Sequence, residues 1–178
     1  MNEFASNEKM NEEKIQRNMD DLKGFTQTIL EKDLVPSIKI LNKYLREAGN
    51  LYGQLFGIEP SDYLFYIRRV CLVNDEPVSL EEIYIPRYLV PKLSGIDLNI
   101  FSIYETYRMF GINLHRAEET LDLVVPDASD AKMLKIGEGV PTLFFQSVSY
   151  DDKGRVIEFN KNYVRGDKCN FNVHFSRQ

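Results

Sequence analysis

Two long apolar runs, Leu64–Val73 and Val78–Ile85, dominate the hydrophobic pattern, and charges interrupt them at Arg68, Arg69, Glu81 and Glu82. Both runs are rich in β-branched and aromatic residues, and Asn74 and Asp75 between them are turn formers, so the stretch reads as a β-hairpin. Its register has two solutions. With a two-residue loop Val73 faces Glu76 and Arg68 falls opposite Glu81; with a three-residue loop Val73 faces Pro77 and Arg69 meets Glu81. Either way an arginine opposes a glutamate in strands apolar enough to be buried. Such a pair is a structural ion bridge or one wall of a ligand site.

The remaining pattern alternates short strands with shorter helices. Phe25–Leu30 and Pro36–Leu45 read as extended, and Glu47–Phe56 as a helix stopped by Gly57. Ser102 stands three residues before Glu105, a capping-box spacing that opens a helix running to Gly111. Ile112–Val125 is a strand, and 127–134 a short helix with acidic residues in its first turn. Thr142–Tyr150 and Arg155–Arg165 are strands joined by a loop over 151–154. A last strand, Asn170–Phe175, alternates apolar and polar residues. Because strands dominate and helices do not recur as regular crossovers, the expected class is α+β with a largely antiparallel sheet.

Composition narrows the functional classes. The chain has 178 residues and a net charge of −5, and no segment interleaves clustered Lys and Arg with aromatics as a nucleic-acid surface would. No apolar run reaches membrane-spanning length and the first 22 residues are too polar for a secretory signal, so a cytoplasmic protein with no membrane partner is expected. Cys71 and Cys169 lie far apart in expected strands and read as buried thiols. Neither a metal site nor a cofactor is expected, since there is no phosphate loop, no nucleophile elbow and no histidine pair at helical spacing. His115 and His174 read as surface residues. Glu158 shares a strand face with Asn160 and Asn162, which is either the solvent face or the wall of a polar cavity. Residues 1–23, rich in Asn, Glu and Lys, read as a solvated arm or linker.

Several separate stretches then carry a likeness: Gly24–Gln27 with Pro36–Leu41; Arg69 through Asn74-Asp75-Glu76-Pro77 to Glu81 and Tyr84-Ile85-Pro86; Ser102-Ile103-Tyr104; Ala128–Leu134 with Gly137; and Tyr150–Gly154 to Glu158, Tyr163 and Arg165-Gly166-Asp167. In this order and spacing the chain resembles the UTRA effector-binding domain of GntR-superfamily, HutC-subfamily bacterial transcriptional regulators, with residues 24–178 as that domain. The resemblance implies a fold similar to chorismate lyase, a central antiparallel sheet flanked by helices. It also implies a homodimer, a small-molecule effector of which sugar phosphates are one class, and DNA contact only through an N-terminal winged helix-turn-helix that this chain lacks. Residues 1–23 would then be the linker after that missing domain. The effector residues it implies are Arg69, Glu81, Ser102, Ile103, Tyr104, Glu158, Tyr163 and Arg165, with the arginine and the helix start on an anion and the carboxylates on hydroxyls; it thereby selects the three-residue hairpin loop, which sets Arg69 opposite Glu81. Cys71 stands where such binders commonly carry a second arginine. The alternatives are an enzyme of the chorismate-lyase type and a dimerisation module without a working pocket.

Overall fold

The computed structural model describes residues 14–18, 29 and 34–174. Its centre is a six-stranded antiparallel sheet of β2 (Pro36–Glu47), β3 (Tyr63–Val73), β4 (Glu76–Pro86), β5 (Leu114–Val124), β6 (Thr142–Asp151) and β7 (Val156–Val164). Across the sheet the order is β2-β3-β4-β7-β6-β5, so the two hairpins meet through β4 and β7. Among the fully described elements, three α-helices flank it: α1 (Gly49–Phe56), α2 (Ile103–Met109) and α3 (Ala128–Met133). The α+β expectation with an antiparallel sheet is therefore met.

Burial of both faces explains why β3 and β4 are apolar nearly throughout. On the outer face, α1 covers Leu64, Tyr84 and Phe159, and Leu134 beyond α3 covers Val70, Leu80 and Tyr163. On the inner face, Phe65, Ile67, Ile83 and Ile85 pack against the chain between Leu89 and Ile112, including Ile103 and Tyr107 of α2. Further along the same face Cys71, Val73, Val78 and Phe145 form a second cluster with Ile15 and Cys169. Between these two apolar clusters the inner face is polar.

Four elements differ from expectation. The β3–β4 turn has two residues, Asn74 and Asp75, both with positive φ (50° and 64°), the conformation of a type I′ turn that suits the twist of a hairpin. Val73 thus faces Glu76, yet Arg69 still meets Glu81, because a bulge between Cys71 and Leu72 leaves Val78 extra on β4 and shifts the pairing by one. Loop length alone could not settle the register. Second, Ile15–Asn18, inside the stretch read as a solvated arm, is a strand, β1, paired in parallel with β8 (Cys169–Asn172), and Ile15 is buried. Third, the C-terminal strand ends at Asn172 and lies in this two-stranded unit, outside the main sheet. Fourth, β2 runs on to Glu47, so α1 starts at Gly49. The extended segment expected over 25–30 lies outside the described residues apart from Ile29, which is helical and buried.

Candidate functional site

Strand alternation puts the polar island together. Arg69 and Cys71 on β3, Ser79 and Glu81 on β4, and Glu158, Asn160 and Asn162 on β7 share the inner face, with Arg69 opposite Glu81 and Glu81 opposite Asn162. The Arg69 Nε donates to Glu81 Oε2 at 2.6 Å, and the Asn162 Nδ2 donates to Glu81 Oε1 at 3.4 Å. From the overlying helix the Tyr107 hydroxyl donates to Glu158 Oε2 at 2.6 Å. Arg69, Glu81, Glu158 and Asn162 are each less than one-tenth exposed. The solvent-face option for Glu158 is thereby excluded.

A buried charge cluster of this kind reshapes its own protonation. Burial is the largest single influence on Arg69 and opposes its charge, but Glu81 beside it, together with Cys71 and Glu158, outweighs burial and keeps the guanidinium firmly protonated. Burial pushes the Glu158 carboxyl up to about 7, only partly countered by the Tyr107 hydrogen bond and the Arg69 charge, with Glu81 adding to the rise. The Tyr104 and Tyr107 hydroxyls are raised by burial and by the neighbouring Glu158. Near neutrality the island therefore holds one fixed cation, one carboxylate and one carboxyl poised between forms.

Its hydrogen bonding is incomplete. The Arg69 Nη1 and the oxygens Ser79 Oγ, Asn160 Oδ1 and Asn162 Oδ1 are buried, and none has a hydrogen-bond partner among the described residues. Buried polar atoms are nearly always paired, and one left unpaired costs about 1–3 kcal/mol. Four on one face are what a complementary ligand would satisfy: an anionic or acceptor group for the guanidinium, and hydroxyl or amine donors for the oxygens.

The expected site residues divide. Tyr104 of α2 is close enough to feel the Glu158, Glu81 and Arg69 charges, so it edges the island. Ile103 is buried in the adjoining apolar cluster. Ser102 closes the capping box: its hydroxyl accepts from the Glu105 amide and its own amide donates to Glu105 Oε2. The first-turn amides of Ile103 and Tyr104 have no partner within the helix.

Tyr163 and Arg165 fall elsewhere. Tyr163 is one residue past Asn162, so it turns to the outer face, 4.6 Å from Phe144 and packed near Leu80 and Leu134. The Arg165 guanidinium is spent on Asp167, Glu76 and the carbonyls of Pro77 and Leu134. It lines an open groove of about 450 Å³ with Lys135, Pro141 and Thr142, away from Arg69. Arg68 also faces outward, in an ion pair with Asp130. Tyr107 and Asn162 were missed: Tyr107 sits one helical turn beyond Tyr104, and Asn162 was visible in the sequence as a partner of Glu158 on its strand face.

The fold is thus a sheet sandwiched between helices, with a buried and incompletely paired polar island on one face. The chain belongs to the UTRA domain family, whose description fits residues 31–170. It is 24% identical over 147 residues to the HTH-type transcriptional regulator GgaR of Escherichia coli K12, covering 83% of this chain and 58% of that one. It is 26% identical over 164 residues to the HTH-type transcriptional repressor NagR of Bacillus subtilis, covering 91% and 66%. The chain thus spans about three-fifths of the length of the curated relatives it matches. In three dimensions it is similar to the effector domain of PhnF from Mycobacterium smegmatis, with a TM-score of 0.87 at 23% identity over 92% of this chain and 100% of that one.

Proposed function

We propose that this chain is the effector-sensing domain of a GntR-type, HutC-subfamily transcriptional regulator, and that a small metabolite binds at the Arg69–Glu81–Glu158 island. The observation that supports it most is the set of four buried, unpartnered polar atoms on one sheet face. The donors and acceptors suit a polyol bearing an anionic group, the chemistry of a sugar phosphate: the guanidinium takes the anion, and the carboxylate and asparagines take hydroxyls. The reading is non-enzymatic, since the island offers binding groups and the relatives are named as regulators.

In the same reading residues 1–23 lead from a winged helix-turn-helix, the domain works as a homodimer in the cytoplasm, and DNA is reached through that head alone. Effector binding favours one of two arrangements of the paired heads and so changes operator affinity. A thermal-shift screen of sugar phosphates and amino-acid derivatives tests the site, because a ligand at a hundredfold excess over its Kd stabilises by about 3 kcal/mol. A hit should raise the melting point of the native chain and not that of the double variant Arg69→Met/Glu81→Met, in which the charge pair becomes an apolar pair. Equal shifts in both would place binding elsewhere.

A further inference from the structure

Arg17 has no part in the site as described so far. It lies on β1, whose Ile15 is buried in the inner-face cluster with Cys71, Val73, Val78 and Phe145. Side chains two apart on a strand share a face, so Arg17 is turned toward the sheet face that carries Cys71, and Arg69 stands two residues from Cys71 on that face. Its position is braced by aromatic contacts. Arg17 pairs in register with Phe171, and its guanidinium carbon lies 5.4 Å from that ring's centroid. Phe171 in turn lies 4.6 Å from Phe145, the cross-strand partner of Asn162.

The charge is felt at two residues of the island, Cys71 and Tyr104, and at Glu119 of β5. Burial pushes the Cys71 thiol of β3 up to about 12 and also raises the Tyr104 hydroxyl of α2 and the Glu119 carboxyl of β5; the Arg17 charge opposes all three. Net charge then becomes decisive. Arg69 is offset by Glu81, and Glu158 adds a further partial negative charge, so the three groups alone are neutral to negative and would repel an anion. Arg17, with the Glu119 carboxyl also in reach of its charge, adds a second cation.

We propose that Arg17 is the second cation of the Arg69 site, and that the ligand carries a phosphate-like anion held between the two guanidinium groups. The proposal rests on the effector reading above and specifies its ligand class. Two planar forks match phosphate oxygens pairwise, which a single arginine tied to Glu81 cannot do. It also makes β1 part of the site, so an anion there ties β1 and its partner β8 onto the sheet face.

The test uses inorganic phosphate as the probe, against chloride at equal ionic strength. The native chain should gain melting temperature with phosphate. Arg17→Met, which keeps an apolar stem against Phe171, should bind phosphate about tenfold or more weakly, and Arg17→Lys should recover part of the loss. Amide exchange on the native chain supplies a second measurement that needs no variant: phosphate should slow exchange at Ile15–Arg17. A native chain indifferent to phosphate, an Arg17→Met variant that responds like it, or unchanged exchange in β1 would each overturn the proposal. Those outcomes leave the effector reading itself standing, because that reading is decided by whether a screened metabolite loses binding in Arg69→Met/Glu81→Met.

Discussion

Glu158 gives the sharpest test of the island's electrostatics, through Glu158→Gln. The amide keeps the volume and the acceptor for the Tyr107 hydroxyl but cannot ionise. In the fold the carboxyl titrates near 7 against its ordinary 4.5, chiefly because it is buried. The folded state therefore holds a proton that the unfolded chain releases. Its stabilising contribution is complete below about pH 4.5 and is lost as pH rises through about 7. At about 1.4 kcal/mol per pKa unit, the full loss is ~3 kcal/mol. Urea unfolding of both proteins from pH 4.5 to 8.5 measures it, and the difference between the two curves cancels every other titrating group. The native chain should lose ~3 kcal/mol relative to Glu158→Gln across that window, with the slope ending above neutrality. Parallel curves would refute the reasoning, showing that Glu158 is solvated or paired with a full cation.

Two further outcomes follow from the hairpin. Arg69→Met alone leaves Glu81 buried with only the long Asn162 contact, and should cost about 3–5 kcal/mol in urea unfolding. Adding Glu81→Met should recover most of that loss; additive losses would mean that the two side chains are not coupled. Asp75→Gly relieves the second positive φ of the type I′ turn and should stabilise by about 0.5–1 kcal/mol, read from the denaturation midpoint, whereas destabilisation would show that Asp75 is held by something other than turn geometry.

The hairpin also shows how far sequence reasoning reaches. The residues name the Arg69–Glu81 pair correctly but by the wrong route, since a two-residue turn plus a bulge gives the same register as a three-residue loop without one. A bulge costs one residue and leaves no mark in a run of Val, Ser and Leu. Tyr163 lies on the other sheet face from Arg69 and Glu81: alternation from Glu158 already put it there, and family resemblance overrode that parity. The Arg165 guanidinium is captured by the neighbouring Asp167 and by groups on Glu76, Pro77 and Leu134 that only the fold brings near. Arg17 was hidden because strand pairing with β8, more than 150 residues away, gives a polar stretch its structure.

Localising a bound metabolite by two-dimensional NMR tests the central claim most directly. Titrating a hit from the thermal-shift screen into the isotope-labelled chain should move the amide signals of Arg69, Glu81, Tyr107, Glu158 and Asn162 together and saturably, while Tyr163 and Arg165 stay in place. Shifts centred on Arg165 and its groove, or on the outer face around Tyr163, would contradict the account.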